Sequence, residues 1–496
     1  MKRVLSALES RKLDRYFIDE CGMHGLVLME QASIAVFHHI TKLINTQQSI
    51  LIVCGSGNNG GDGLALLRIL CTFGYNAKAI VINNGKCFSN DARTNLSIAQ
   101  NCSLPIYIVS DPAEFDKVLN RDHDMIVDAV FGTGLTRNVE GIYKHALLRM
   151  NNAAGIKVAI DMPSGIDSDT GRICGYAFIA DETITFQTQK RGQLLYPGRE
   201  HCGNTTVYPI GVLKPDYEYG SNEFIATDED FKSALPIKKP DAHKGNSGRL
   251  LIIAGSKYLR GAAVINAKAA LKSGAGLVRV LCPECICEAF SNLPEAMLVP
   301  IQGDWDSLHK DVLKDQLQWA DAIAIGSGMG KNPSVLDIAM LVSGSNKPCV
   351  MDADALNAFA ARGIIPSGKH IILTPHVGEM ARLCSDTTKN ISENLQKFAL
   401  DFVSQHDVNL VLKSATTIIA SKSRLIYNIK GGCELAKGGS GDILCGIIGS
   451  FLAQGMAPSD AAWAAPYLLG MSSNEGMKLL ITRMPIASDI IDAFVL

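Results

Sequence analysis

Ser49-Ile50-Leu51-Ile52-Val53-Cys54 runs without a break into Gly55-Ser56-Gly57-Asn58-Asn59-Gly60-Gly61-Asp62-Gly63 and then Leu64-Ala65-Leu66-Leu67. An apolar, β-branched run that does not alternate is expected for a strand covered on both faces, as in a parallel sheet. The glycine-rich turn followed by a leucine-rich stretch reads as strand, loop and helix. The same rhythm continues on both sides. Lys78–Ile82, Met125–Asp128, Lys157–Asp161 and Glu182–Phe186 are read as further strands, and the first 48 or so residues as helical, from the spacing of Leu5, Leu8, Leu13 and Phe17 and then Leu26, Leu28, Ile34 and Phe37.

Proline, glycine and charge concentrate at Pro215–Asn222 and again from Pro236 to Gly248, which marks a linker or domain entry. After it the α/β pattern restarts, with strands expected at Arg249–Ala254, Gly276–Leu281, Asp321–Ile325, Pro348–Asp352, His370–Thr374, Asn409–Lys413, Thr417–Ala420 and Arg424–Tyr427. From Asp442 to about Lys478 the chain reads as helical. At 496 residues the chain is too long for one typical core. The fold expected is therefore α/β, with two tandem doubly wound domains, residues 1–222 and 223–496, the first Rossmann-like. No fixed-period repeat relates the halves.

With 47% hydrophobic and 19% charged residues and a formal net charge of −2, the composition is that of a globular protein. It carries no electrostatic footprint for nucleic acid. No segment reaches 18 apolar residues without polar interruption, so no membrane span is expected. The opening residues lack the apolar core of a secretory leader, and a cytoplasmic location is expected. The 14 cysteines are scattered singly, as reduced thiols would be. Cys282, Cys285 and Cys287 cluster, but no second pair stands at metal-ligand spacing, so no zinc site is expected there.

The turn Gly55–Gly63 contains G-x-G-x-x-G between strand and helix, the pattern of dinucleotide binding. That pattern also needs an acidic residue ending the second strand. Here the strand ends Val81-Ile82-Asn83-Asn84-Gly85, and Asp62 would lie near a pyrophosphate, so a standard hydride-transfer domain is disfavoured. Ligands of doubly wound sheets sit beyond the carboxyl ends of the strands. Three loops here carry oxygen ligands at that edge: Asn58-Asn59, Asp128 with Phe131–Leu135, and Asp161 with Ser164. Asn59, Asp128 and Ser164 could hold a monovalent cation beside a phosphate. A lone strand-end Asp is more often a cap, but three successive loops of this kind are hard to assign to capping alone.

In the second half, Lys437-Gly438-Gly439-Ser440-Gly441-Asp442 precedes the apolar helix that begins Ile443-Leu444. Unpaired backbone N–H groups and the helix dipole form an anion site there. A carboxylate in such a nest would repel phosphate. It is better explained as a base that takes a hydroxyl proton while the loop steadies a transferring phosphoryl. Its company is ordered along the chain: His243-Lys244-Gly245, Gly255-Ser256, Gly261-Ala262, Gly326–Gly330, Asp352-Ala353-Asp354, Thr374–Met380 and Lys413–Thr417.

Cys54–Gly63, Asp128–Asn138 and Asp161–Asp167 together resemble the NAD(P)HX epimerase domain, which acts on hydrated nicotinamide cofactors. The resemblance implies that Asn58, Asn59, Gly60, Gly61, Asp62, Gly132, Thr133, Gly134, Leu135, Thr136, Arg137, Asn138, Tyr143 and Asp161 contact the hydrate, and that Asn59, Asp128 and Ser164 bind potassium. Ser56 and Asn138 stand where that family often has proline. The second half resembles the ribokinase-like superfamily and, within it, the ADP-dependent NAD(P)HX dehydratase. This implies substrate contacts from Gly261, Ala262, Gly328, His376 and Asp442, and nucleotide contacts from Lys413, Ser414, Ala415, Thr416, Thr417 and Gly441. Val377, Ser414, Thr416 and Gly432-Cys433-Glu434 depart from that family's pattern.

The two resemblances imply a bifunctional repair enzyme. The first half would interconvert R- and S-NAD(P)HX, with Asp161 as acid and base. The second would dehydrate the S form to NAD(P)H with ADP, releasing AMP and phosphate, with Asp442 as base. Potassium, magnesium and an adenine nucleotide are the cofactors implied, Asp352 and Glu379 being the acidic candidates near the magnesium, and a homo-oligomer is expected. Two readings of other kinds compete: a small-alcohol kinase of the ribokinase class fused to a nucleotide-binding domain, and a nucleotide sensor without turnover. Asp161 and Asp442 together argue against the sensor, which needs neither.

Overall fold

A computed structural model describes residues 1–212, 222–236, 247–479 and 484–494. Most of the proline- and glycine-rich stretches read as linker, and His243-Lys244-Gly245, lie outside the described residues. Between them, Glu223–Ile225 forms a strand and Asp228–Ala234 a helix capped by Thr227 and Asp230. The chain divides into two compact units, Arg3–Glu223 on one side and Phe224–Leu496 with Met1–Lys2 on the other.

In the first unit seven parallel strands lie in the order Ile106–Val109, Asn76–Ile82, Ser49–Cys54, Met125–Ala129, Ile156–Ile160, Glu182–Phe186 and Asn204–Tyr208. Alternate residues of Ser49–Cys54 serve two cores. Ile50, Ile52 and Cys54 pack with Leu64, Leu67 and Val127, while Leu51 and Val53 pack on the other face with Ile126, Leu147 and Phe178. Each such buried side chain contributes about 1.5–3 kcal/mol. The first strand in sequence lies between the second and the fourth, so the order reverses at Ser49–Cys54 and Met125–Ala129. A cleft opens at such a point, beyond the carboxyl ends.

Two elements differ from the sequence expectation. Lys2–Leu5 is a strand, not helix, paired in parallel with Gln189–Lys190, and the helices behind it are Ala7–Arg15 and Gly25–Ile40. Asp161 does not end its strand. It lies one residue beyond, at φ +65°.

The second unit repeats the plan. Its strands run in the order Ala296–Ile301, Leu277–Pro283, Arg249–Ile253, Ala322–Ile325, Cys349–Met351, Ile371–Leu373 and Asn409–Leu412, all parallel, followed by the antiparallel Thr417–Ala420 and Leu425–Asn428. Here the order reverses at Arg249–Ile253 and Ala322–Ile325. The helix Ser440–Ala453 packs along Arg260–Lys272, where Gly446 allows the close approach: a Cβ there would come within 2.3 Å of the Asn266 carbonyl. The C-terminal helical stretch is interrupted, and a second helix, Pro458–Leu479, follows it. Among the described residues no helix is long and apolar enough to cross a membrane.

Candidate active sites

In the first unit, a cavity of about 510 Å³ opens at the reversal of strand order. Gly57 of the first turn lines it, and the other glycines of that turn pack beneath. A Cβ on Gly60 would stand 1.9 Å from the Gly55 carbonyl, and one on Gly55 would stand 2.2 Å from that of Val130. Asn58, Asn59 and Asp62 line the cavity from the first turn of helix Asn58–Thr72, and Gly132, Thr133, Gly134, Leu135 and Arg137 line it from the loop after Met125–Ala129. Tyr143 and Asp161 complete the wall. The rings of Phe131 and Tyr143 lie 4.9 Å apart, and the Lys86 ammonium stands 5.7 Å from the Tyr143 ring.

Four residues of the expected set do not line it. Gly60 and Gly61 are buried, with Gly61 held against Met29, so they serve packing; Thr136 and Asn138 are exposed beyond the rim.

Behind the cavity lies Asp128, fully buried. One of its oxygens accepts from the Ser164 hydroxyl (2.6 Å) and the Val130 amide (3.1 Å), and the other from the Ser164 amide (2.7 Å). The Ser164 hydroxyl in turn accepts from the Phe131 amide at 2.7 Å. Burial pushes Asp128 up to about 6, against those hydrogen bonds. The Asn59 side chain, near Gly132 as Asp161 is, is also buried, and neither its oxygen nor its nitrogen has a hydrogen-bond partner. An orphaned buried amide oxygen is the kind of donor a monovalent cation satisfies, and Asp128 and Ser164 add further oxygens.

Asp161 has further company that lies far away in sequence. The Lys190 ammonium donates to its Oδ1 at 2.6 Å, and the Thr185 hydroxyl donates to the same oxygen at 3.1 Å. The Gln193 side-chain amide donates to the Asp161 carbonyl at 2.6 Å. Oδ2 faces Gly132, 3.2 Å from where a Cβ would stand. Asp62 is held well above the ordinary carboxylate range, mainly by burial and further by the negative charges of Asp161, Asp14 and Asp91. Asp14, Arg11 and Lys190 also line the cavity. None of these three had a sequence signal, because they come from the N-terminal helix or from a strand 29 residues past Asp161.

In the second unit, Gly439, at φ +95°, caps the helix Ser440–Ala453, and Asp442 sits in its first turn. Burial pushes Asp442 up to about 6, with the charge of Asp352 adding and a hydrogen bond with Ser327 opposing. Gly441 lies over a charged pair: a Cβ there would be 3.4 Å from Asp352 Oδ2 and 3.5 Å from Lys413 Nζ. Asp352 Oδ1 accepts from Lys413 (2.7 Å) and from the Thr374 hydroxyl (2.8 Å). Lys413 also stands 4.0 Å from the buried Glu379. The Lys413 side chain points to these carboxylates, and its backbone amide donates to the Pro375 carbonyl at 2.8 Å. Glu379 accepts from the His376 amide at 2.8 Å, and His376 Nδ1 accepts from the amides of Gly378 (2.9 Å) and Glu379 (3.3 Å).

Gly328, at φ +65°, abuts Leu259 and Ala262, and the space beside Gly261 is open, so Gly261, Ala262 and Gly328 share one edge of this site. In the hairpin, the Ser414 hydroxyl donates to the Thr416 carbonyl (2.5 Å) and that of Thr417 to the Ser414 carbonyl (3.4 Å). These two bonds stiffen the turn. Glu434, in the departing segment, is buried and accepts from Ser473 and from the Gly432 amide, each at 2.7 Å.

Asp352 and Glu379, the acidic candidates for magnesium, share one ammonium: Lys413 stands 2.7 Å from the first and 4.0 Å from the second. Among the described residues no group of three or more His, Cys, Asp or Glu side chains is placed to hold a metal, Cys282, Cys285 and Cys287 included.

Two doubly wound α/β units, each with a polar site at its strand-order reversal, define a tandem nucleotide-handling enzyme. Residues 25–192 match the family model described as YjeF-related protein N-terminus, and residues 250–492 match NAD(P)H-hydrate dehydratase. The chain is 34% identical to the bifunctional NAD(P)H-hydrate repair enzyme Nnr of Moorella thermoacetica, over 99% of this chain and 95% of that protein. It is 32% identical to the enzyme of that name from Escherichia coli K12, over 97% and 91%. A solved ribokinase-like superfamily protein from Enterococcus faecalis V583 shares the fold of the second half, with a TM-score of 0.50 and 24% identity over 56% of this chain and 96% of that one. The chain belongs to the bifunctional NAD(P)H-hydrate repair enzyme family.

Proposed function

We propose that residues 1–222 epimerise R- and S-NAD(P)HX and that residues 223–496 dehydrate the S form with an adenine nucleotide. The observation that carries the first activity is the cavity into which Asp161 and Asp62 both open. The hydrate bears a hydroxyl on the carbon next to the ring nitrogen. Its departure leaves a delocalised iminium, and water can return to either face. Two carboxyls in contrasting surroundings divide such work. Asp161, ion-paired, faces the cation and takes a proton from incoming water. Asp62, whose carboxyl burial holds well above the ordinary range, gives one to the departing hydroxyl. General acid–base help of this kind is worth about 10²–10⁴-fold. Potassium held by Asn59, Asp128 and Ser164 would supply positive charge beside the cofactor's phosphates.

In the second unit Asp442 takes the hydroxyl proton as that oxygen attacks the terminal phosphorus of ADP. AMP leaves, and the N–H groups at the start of Ser440–Ala453 steady the transferred phosphoryl. Loss of phosphate, with a proton leaving the adjacent ring carbon to solvent, then restores the ring double bond of the reduced cofactor. Magnesium is expected to arrive with the nucleotide. The test is to incubate the chain with mixed hydrate, Mg²⁺, K⁺ and either ADP or ATP, and to follow the absorbance of the reduced cofactor. Full recovery from both epimers supports two activities, recovery of S alone refutes the epimerase, and no recovery refutes the reading.

A further inference from the structure

The lysine behind Asp161 is built with more care than a passing ion pair requires. Lys190 Nζ has three protons, and each has an acceptor inside the unit: Asp161 Oδ1 at 2.6 Å, the Thr185 hydroxyl at 2.7 Å and the Phe186 carbonyl at 3.1 Å. Its side chain is only 5% exposed although it borders the cavity. The backbone is fixed as well. Lys190 pairs with Leu5 in the short parallel ladder, and its amide donates to Gln193 Oε1 at 2.9 Å, while the other end of that Gln193 amide holds the Asp161 carbonyl. Asp161 itself sits at φ +65°, a conformation that costs a non-glycine residue energy unless its surroundings enforce it.

We infer that Lys190 is a positioning residue of the epimerisation site: its ammonium occupies Oδ1 of Asp161 and turns the free Oδ2 to the reacting ring carbon. With no proton left over, Lys190 does not donate to substrate. It acts through Asp161, and so it governs the rate of the chemical step while leaving binding of the hydrate to the rest of the wall. The inference rests on the epimerase reading above.

The experiment uses the full chain as Lys190→Met and Lys190→Ala, with epimerisation followed by exchange between the two hydrate epimers and without nucleotide. Activity of the unaltered chain tests the epimerase reading; the variants test Lys190. Lys190→Met is expected to lower kcat about tenfold or more while KM stays within about threefold, the pattern of an interaction made in the transition state. In Lys190→Ala, millimolar ethylamine or propylamine is expected to restore part of kcat by filling the vacated ammonium position, and to restore nothing once Asp161→Asn is added. The inference is overturned by an unchanged kcat, by a loss that falls wholly in KM, or by an absence of amine rescue. Loss of the first unit's melting transition in both variants also overturns it, since the ion pair would then hold the unit together rather than fix one carboxylate.

Discussion

Exchanging Asp161 for Asn keeps the shape of the side chain and removes its charge. The expected outcome is a fall in epimerisation of about 10²–10⁴-fold, read as exchange between the epimers, with dehydration of S-NAD(P)HX unchanged. Asp442→Asn should do the reverse, abolishing ADP-dependent recovery while exchange continues. Asp442 also sets a pH signature. A base works only as its carboxylate, and burial places that carboxyl at about 6. Dehydration should therefore hold steady from pH 8 down to near 6 and then fall about tenfold per unit. A kcat/KM profile flat to pH 5 would remove Asp442 as the base.

At the scale of elements, the glycine turn after Ser49–Cys54 ties packing to chemistry. Gly60→Ala would drive a methyl group into the Gly55 carbonyl. The strand or the helix start must shift, at a cost of about 1–3 kcal/mol or more, and the first unit should melt earlier in a denaturant titration. That turn was legible because central parallel strands are apolar throughout and end in glycine. Ile106–Val109 and Asn204–Tyr208 were not, because edge strands are covered on fewer sides. Tyr107 and Ile108 are exposed, and Asn204-Thr205-Thr206 has no apolar run. The motif-borne parts of both sites could be read from loops at strand ends. The partners of Asp161 could not, since an ion pair between residues 161 and 190 leaves no local pattern. Nor could the pairing of Lys413 with Asp352, for the same reason.

At the scale of the whole molecule, a single chain carrying both sites has a kinetic consequence. With mixed hydrate and excess nucleotide, the progress curve should run to completion in two phases, a fast one for the S fraction already present and a slower one paced by epimerisation. Asp161→Asn should keep the first phase and lose the second, ending at the initial S fraction. A single phase to completion in that variant would show that the second unit accepts both epimers, and the fusion would need another explanation.

The cap at His376 decides what its imidazole can offer a ligand. Two backbone amides aim at Nδ1, so in the neutral ring the hydrogen resides on Nε2. Nε2, which stands 3.5 Å from Glu379 Oε1, is then a donor, suited to a carboxylate or a ligand oxygen and unsuited to drawing a proton from a ligand. Nitrogen-15 shifts of the ring would reveal that tautomer directly.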